Sequence, residues 1–292
     1  MFKMLVKGAS AKPKSPPSPI SLVGQTAIIT GSNTGIGLAS ARVLLGLGLS
    51  HLVMAVRSTE KGAAAALPLR KDFPAIKIDV WALDMLSYNS IQDFVGKCAA
   101  LPRLDIAILN AGITLNDSIV NKSTGHEEVF QVNYLSTALL AILLLPLLKS
   151  RSTSPGRLTI VGSGLGLHSK FTNRNAVPLI PSFDDPANPG WKGMTLAGER
   201  YCVSKTLVLM LVFTLSELVA VEDVIINAVE PGFTSGTSLN RSAAAIQKVM
   251  VKLMHKLYAR TPEQAALTYV DAVAIKGKES HGCFLMDWEI IG

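Results

Sequence analysis

The sequence predicts one doubly wound α/β domain, in which a parallel sheet of about seven strands carries helices on both faces. Two observations lead to this prediction. Short apolar segments alternate with helical stretches from Gln25 onward, which is typical of parallel strands joined by crossover helices. The segments predicted as strands are apolar at nearly every residue, as expected when both faces of a sheet are covered.

The predicted strands follow one another along the whole chain, each bounded by a turn or a helical stretch. In chain order they are Thr26–Thr30, His51–Val56, Lys77–Leu83, Leu104–Leu109, Leu158–Val161, Val224–Val229 and Gly282–Leu285. A helix is predicted over Gly35–Leu47, and Thr261-Pro262 has the residue types of a helix start. The longest apolar run, Ala138–Leu148, is shorter than the ~20 residues of a membrane span, so we expect a buried helix and no membrane span.

Composition and charge narrow the class of protein. Apolar residues make up 49% of the 292 residues and charged residues 17%, which excludes a disordered chain and suffices for a large core. The net charge is +7, but residues 1–20 hold four lysines and no acid. Since the remaining excess is small and no dense basic run includes aromatic residues, nucleic-acid binding is not expected. We predict a flexible basic leader over 1–20 and one domain over 21–292.

The three cysteines are sparse and widely spaced, at positions 98, 202 and 283. Such a set has neither metal-ligand spacing nor the pattern of a disulfide framework, so no metal is predicted. A reducing compartment, the cytoplasm, is expected, with targeting by the basic leader as an alternative.

A glycine-rich turn follows the first predicted strand and opens the first predicted helix. Glycines at this spacing let the chain turn tightly, and they let backbone N–H groups approach a pyrophosphate at the helix N-terminus. An ordinary tight turn is the alternative. The residues predicted to contact a dinucleotide here are Gly31, Ser32, Asn33, Thr34, Gly35, Ile36 and Gly37.

Further motifs follow in a fixed order along the chain. They are Asn110-Ala111-Gly112 after the fourth strand, Asn133 in the next helix, Ser163 after the fifth strand, Tyr201-Cys202-Val203-Ser204-Lys205, and Pro231-Gly232 after the sixth strand. Together with the G-x-x-x-G-x-G turn, this order resembles the short-chain dehydrogenase/reductase family from about Gln25 to Leu285. The resemblance implies a Rossmann-type fold and a redox enzyme, and the texture of the sequence is most similar to fungal secondary-metabolism members.

The resemblance assigns a catalytic tetrad. Tyr201 would protonate the developing alkoxide, Lys205 would lower the tyrosine pKa and bind the nicotinamide ribose, Ser163 would orient the substrate carbonyl, and Asn133 would hold a water in a proton relay. The residues themselves allow this chemistry, because positions i and i+4 share a helix face and an ammonium group favours a phenolate. A solvated surface pair with a turn serine is the alternative for these residue types.

The residue after the second predicted strand indicates the cofactor. Arg57 offers a permanently charged, planar donor set for a 2′-phosphate, where an acid would favour a free 2′-hydroxyl. We therefore predict NADP(H), with a solvated arginine as the alternative. The resemblance adds Asp84 and Met85 at the adenine, Asn110, Ala111 and Gly112 along the ribose and nicotinamide, and Pro231, Gly232 and Thr234 near the carboxamide. Tyr201 and Lys205 belong to the same cofactor-contacting set.

The substrate side departs from compact family members. Ser163 and Tyr201 lie 38 residues apart, so an insert over about 164–199 is predicted as a lid or substrate loop, or else as a surface excursion. An amphipathic, Met-containing helix is expected within 237–258.

We predict an NADPH-dependent reductase of a hydrophobic ketone. The alternatives are a non-redox cyclase or isomerase and a catalytically silent dinucleotide-binding protein. The apolar Asn133–Leu148 helix suits a homodimer or homotetramer interface as well as a monomer's core.

Overall fold

A single eight-stranded sheet forms the centre of the computed structural model, which describes residues 13–16, 20–115, 117–149, 154–185, 198–235 and 259–291. The strand order is β3-β2-β1-β4-β5-β6-β7-β8, and every neighbouring pair is parallel except β7 with β8. The strands are β1 Thr26–Thr30, β2 His51–Val56, β3 Lys77–Ala82, β4 Ile106–Leu109, β5 Gly156–Val161, β6 Val224–Val229, β7 Phe284–Met286 and β8 Glu289–Ile291. The predicted doubly wound fold and its seven parallel strands are confirmed.

The eighth strand was not predicted. It pairs antiparallel with β7 through a two-residue turn in which Asp287 has φ 53° and Trp288 has φ 64°. Hairpin turns of this kind need positive φ at both positions and normally carry Asn or Gly, so Asp-Trp gives little turn signal. Tertiary contacts hold the turn, because Trp288 is buried and the Arg260 guanidinium lies 4.7 Å from its ring centroid.

Helices cover both faces of the sheet. They are α1 Gly35–Gly46, α2 Thr59–Asp72, α3 Tyr88–Ala99, α4 Glu128–Leu148, α5 Gly198–Leu218 and α6 Pro262–Val270. One face packs against α1, α2 and α6 and the other against α3, α4 and α5. The core accordingly consists of two main apolar clusters, one on each face of the sheet. Every residue of β1, β2 and β6 is buried between these layers, which explains why these strands are apolar at most positions.

The helix start predicted at Thr261-Pro262 is confirmed. The Thr261 hydroxyl accepts a hydrogen bond from the Gln264 backbone N–H at 3.3 Å, and the Gln264 side chain accepts one from the Thr261 N–H at 3.0 Å. This reciprocal arrangement is a capping box, with Pro262 in the first helical turn.

Helices α4 and α5 are each 21 residues long and are apolar enough, by length and composition, to cross a membrane. Half of the most apolar window of each helix is buried. Leu140, Leu144 and Val208 from these helices lie in the core beneath the sheet, so both helices pack as core elements of the domain.

Part of what the sequence predicts lies outside the described residues. This applies to most of the leader over 1–20, to the second part of the insert over 186–197, and to the amphipathic helix expected within 237–258. The domain boundaries therefore remain predictions.

Candidate active site

The glycine turn after β1 is tightly closed. Gly31 has φ +66° and Gly35 has φ +58°, which are conformations that side chains rarely adopt. A Cβ on Gly37 would lie 2.8 Å from the Gly31 carbonyl oxygen and 2.8 Å from Asn110 Nδ2. The buried Ser32 hydroxyl donates to the Ile29 carbonyl at 2.9 Å, which fixes the first step of the turn.

Helix α1 begins at the end of this turn. Its N-cap residue, Thr34, makes no side-chain capping bond, and its first turn contains no acid. The backbone N–H groups of a first helical turn have no partner within the helix and carry partial positive charge, so this end suits an anion. Asn33 and Ile36, the other predicted contacts, lie in the same turn.

Asn110 holds the turn from the side of β4. Its Nδ2 donates to the Thr30 carbonyl at 2.8 Å and approaches the Gly31 carbonyl at 3.4 Å, while the Ala111 N–H donates to the Thr30 hydroxyl at 2.9 Å. The Asn110 Oδ1 accepts a hydrogen bond from the hydroxyl of Tyr269 at 2.9 Å. The amide group of Asn110 therefore organises the turn, and its predicted contact with the cofactor stays a prediction.

Tyr269 is a residue that sequence reasoning missed. It lies 159 residues from Asn110 in the chain, on α6, and is fully buried. Only the packing of α6 against α1 brings its hydroxyl to the glycine turn.

The structure brings three members of the predicted tetrad together. Ser163 follows the carboxyl end of β5, and Tyr201 and Lys205 lie in the first turns of α5. Tyr201 is 7% exposed, and its hydroxyl shares a side-chain hydrogen bond with Ser163. Lys205, one turn further along α5, donates from Nζ to the Val161 carbonyl at 2.8 Å. Its Nζ lies 5.7 Å from the Tyr201 ring centroid.

Burial controls the titration of this pair. It lowers the pKa of Lys205 to about 8 and raises the pKa of Tyr201 above its ordinary value, although the hydrogen bond from Ser163 acts in the opposite direction. Burial of the hydroxyl is the largest cause of the raised tyrosine pKa, and the Lys205 hydrogen bond goes to a backbone carbonyl. That Lys205 lowers the tyrosine pKa therefore stays a prediction.

Asn133 stands next to this group, in a π-helical turn of α4 over Gln131–Leu135. Its Oδ1 accepts from the Ile113 N–H at 2.9 Å, and its Nδ2 donates to the Ile113 carbonyl at 2.9 Å and to Ser204 Oγ at 3.1 Å. A Cβ on Gly112 would lie 3.2 Å from Asn133 Oδ1 and 3.7 Å from Lys205 Nζ, so the tetrad's fourth member is close to the lysine. Its amide ties α4 to the loop after β4, and the water-holding role stays a prediction.

The residues predicted at the adenine end occupy the neighbouring strand ends. Arg57 is exposed directly after β2. Asp84 follows β3, and its Oδ1 accepts from the Leu86 N–H at 3.0 Å. Met85 is buried, and its carbonyl accepts from the Ser136 hydroxyl at 2.5 Å. All three lie at the same edge of the sheet as the glycine turn, because parallel strands end together there.

Arg260 fixes the Pro231-Gly232 turn after β6. Its Nη1 donates to the Pro231 carbonyl at 3.1 Å, and a Cβ on Gly232, which has φ +76°, would lie 2.6 Å from that nitrogen. Thr234 pairs with Arg260 in an isolated β-bridge, and its hydroxyl donates to the Gly232 carbonyl at 3.0 Å. Sequence reasoning missed Arg260, which directly precedes the capping box of α6 and is paired with Asp287.

The described part of the insert is anchored to the domain. The Asp184 carboxylate accepts from the Glu127 N–H at 2.9 Å and pairs with His126 Nδ1 at 2.9 Å. Phe183 stacks on Phe130 with ring centroids 4.2 Å apart. These contacts hold the segment 164–185 to the domain, and the predicted lid or substrate-loop role of the insert over about 164–199 stays a prediction.

No cluster of three or more His, Cys, Asp or Glu side chains is placed to hold a metal ion within the part of the chain that the structure describes. Cys98, Cys202 and Cys283 form no disulfide with one another, and burial raises the pKa of Cys98 to about 12, which makes it an inert core thiol.

Comparison with known proteins agrees with this geometry. The sequence pattern of the family described as "short chain dehydrogenase" matches residues 25–175. Among similar chains, "Short chain dehydrogenase/reductase mfmJ" of Annulohypoxylon moriforme is 49% identical over 283 residues, covering 96% of this chain and 80% of that one. "Short chain dehydrogenase virL" of Hypocrea virens is 43% identical over 287 residues, covering 96% of this chain and 81% of that one.

Solved structures support the fold. L-sorbose reductase from Gluconobacter frateurii, crystallised with NADPH and L-sorbose, has a TM-score of 0.69 at 20% identity and covers 91% of this chain and 96% of its own. At that identity the likeness concerns architecture alone. The family pattern and the fungal relatives go further, and they confirm the resemblance that the motifs indicated: this chain is an oxidoreductase that belongs to the short-chain dehydrogenase/reductase family.

Proposed function

We propose that the protein is an NADPH-dependent carbonyl reductase that converts a hydrophobic ketone to an alcohol. The single observation that carries this proposal is the buried Tyr201 hydroxyl, bonded to Ser163 and followed one helical turn later by Lys205. A buried phenol with a raised pKa holds its proton at neutral pH and releases it only to a strongly basic partner, such as a developing alkoxide.

The residues present fit a dinucleotide. The glycine turn is compact, because a side chain at Gly37 would meet the Gly31 carbonyl oxygen, and the first turn of α1 presents its N–H groups without an acid. The exposed guanidinium of Arg57 favours a 2′-phosphate, hence NADPH over NADH. NADPH, when bound, supplies a hydride to the carbonyl carbon.

The chain's own residues would bind and protonate the carbonyl oxygen of the substrate. The Ser163 hydroxyl donates a hydrogen bond that orients the substrate carbonyl, and Tyr201 gives its proton to the oxygen as negative charge develops there. Lys205, as a cation, stabilises the tyrosinate that remains until the proton is replaced. Hydride on carbon and proton on oxygen together complete the alcohol.

The hydrophobic class of the substrate rests on sequence texture and on the fungal relatives, and we place the enzyme in secondary metabolism on the same ground. Its proposed setting is the cytoplasm, with a small molecule as its ligand. A homodimer or homotetramer remains an alternative to a monomer.

Activity measurements with Tyr201→Phe test the proposal. Purified protein should oxidise NADPH in the presence of at least one member of a panel of aromatic and polycyclic ketones. The variant should lose about 10²- to 10⁴-fold in kcat, the usual contribution of a general acid, with the dissociation constant for NADPH within about threefold. Tyr134→Phe, on α4, is the matched control. A wild-type protein that binds no NADPH, or a Tyr201→Phe variant with unchanged kcat, would overturn the assignment.

A further inference from the structure

Glu230 is an acidic residue at the catalytic edge of the sheet that neither the sequence motifs nor the proposed mechanism uses. It follows β6 directly and precedes the Pro231-Gly232 turn. Its backbone N–H donates to the Leu285 carbonyl at 2.8 Å, so β7 fixes its main chain. Its side chain is only partly exposed, and the group that its carboxylate contacts is visible only in the structure.

The carboxylate reaches across to the neighbouring strand. Glu230 Oε1 accepts a hydrogen bond from the Gly164 N–H at 2.8 Å, over 66 residues of chain. Strands β5 and β6 are parallel, with Val161 opposite Val229, so the residues after both strands meet at one edge. Gly164 is the residue immediately after Ser163.

The same turn is held from its other side by α5. The Thr206 hydroxyl donates to the Gly166 carbonyl at 2.7 Å, and a Cβ on Gly166 would lie 2.9 Å from the carbonyl carbon of Lys205. The segment that carries Ser163 is therefore held between helix α5 and the side chain of Glu230, the residue directly after β6.

We propose that Glu230 is a positioning residue, which holds the Ser163–Gly164 turn so that the serine hydroxyl meets the Tyr201 hydroxyl. This inference rests on the proposed function, since it concerns the geometry of the tyrosine–serine pair. A hydrogen bond to a carboxylate is stronger than one between neutral groups, so losing it should loosen the turn more than losing an ordinary backbone contact.

The surrounding charges support the placement. Glu230 acts on Tyr201 through its charge and raises the tyrosine pKa, as Cys202 does, beyond the larger effect of burial. Tyr269 faces Tyr201 from α6, and Lys205 faces it from α5. Burial raises the pKa of Glu230 itself, the bond from Gly164 and the charge of Arg260 lower it, and the charge of Asp287 raises it.

Three variants separate the hydrogen bond from the charge. Glu230→Gln keeps an acceptor oxygen for the Gly164 N–H without charge, Glu230→Asp keeps the charge on a shorter side chain, and Glu230→Ala keeps neither. Glu217→Gln, at an exposed position on α5, is the matched control. Thermal unfolding of each variant identifies any that fail to fold. If Glu230→Ala does not fold, the conservative changes to Asp and Gln still test the proposal.

We expect kcat with NADPH to fall about 10- to 100-fold in Glu230→Ala and Glu230→Asp, and to stay within about threefold in Glu230→Gln. The dissociation constant for NADPH should change less than about twofold in all three. In Glu230→Gln the basic limb of the kcat/KM profile should move to lower pH. Amide hydrogen exchange of Gly164 should accelerate in the alanine and aspartate variants alone.

Unchanged kcat and unchanged Gly164 exchange in Glu230→Ala and Glu230→Asp would overturn the proposal, as would an equal loss in Glu230→Gln. Failure of the proposed function has a different signature. In that case the wild-type protein itself does not oxidise NADPH, and the exchange of the Gly164 amide still decides whether Glu230 holds the turn.

Discussion

Replacing Lys205 by methionine should make the protein more stable at pH 7 while abolishing turnover. Lys205 is 5% exposed, and burial lowers its pKa from the ordinary 10.5 to about 8. A buried cation is costly because it loses its hydration, and among the described residues its Nζ has one hydrogen bond, to the Val161 carbonyl at 2.8 Å. Methionine has a similar length and no charge.

The magnitude follows from the displaced pKa. A change from 10.5 to about 8 corresponds to about 3 kcal/mol in the free energy of unfolding, at ~1.4 kcal/mol for each pH unit. Because the folded-state pKa is depressed, this penalty is absent above pH 10.5, grows as the pH falls towards 8, and is complete below it. Losing the hydrogen bond to Val161 costs about 1 kcal/mol at every pH. Lys205→Met should therefore gain about 2 kcal/mol at pH 7 and lose about 1 kcal/mol above pH 10.5.

Urea unfolding of wild-type and variant protein without cofactor, at several pH values between 7 and 10.5, measures this difference. The exposed Lys97, changed to methionine, is the control and should alter the free energy of unfolding by less than about 0.5 kcal/mol with no trend in pH. Two parallel stability curves for wild type and Lys205→Met, or a variant that is less stable at pH 7, would refute the reasoning.

Three further changes test the cofactor end of the site. Tyr269→Phe removes the hydrogen bond from a buried hydroxyl to the half-buried Asn110, so the free energy of unfolding should fall by about 1 kcal/mol. Unchanged denaturant midpoints would contradict the role of the hydroxyl. Gly37→Ala places a Cβ 2.8 Å from the Gly31 carbonyl oxygen and should raise the dissociation constant for NADPH at least about tenfold. A fluorescence titration measures this constant, and a value within about twofold of wild type would contradict the role of the glycine turn. Arg57→Ala should raise KM for NADPH about 10- to 100-fold with little effect on KM for NADH, and equal effects on both cofactors would remove the arginine from phosphate recognition.

Local sequence patterns predicted most of the sheet. The strands β1, β2 and β6 have the bounds that their apolar runs indicate, and the helix start at Thr261 has the capping residues that the sequence suggests. These features depend on neighbours in the chain, namely buried runs, caps and turn residues. The β7–β8 hairpin was not predictable in this way, because Asp287-Trp288 is an unusual turn pair with positive φ and its contacts with Arg260 come from a distant part of the chain.

In the candidate site too, some features follow from local sequence and others from contacts between distant residues. Tyr201 and Lys205 are four residues apart on one helix, and Gly31, Gly35 and Gly37 share one turn, so they form local motifs whose order along the chain carries the family resemblance. The groups that hold those residues in place come from distant parts of the chain. Asn110 meets Tyr269 over 159 residues and Glu230 meets Gly164 over 66, and no local pattern marks either pair.

The sequence by itself determined the fold class and the family, and it named candidate catalytic residues, because strands, turns and ordered motifs are encoded by short-range spacing or by burial along one element. Only the tertiary structure decided the protonation chemistry of those residues and the contacts behind them. Burial raises the Tyr201 pKa and lowers that of Lys205, against the expectation from their charges alone. The physical reason is that desolvation and long-range hydrogen bonds depend on what packs around a side chain, and packing exists only once the chain has folded.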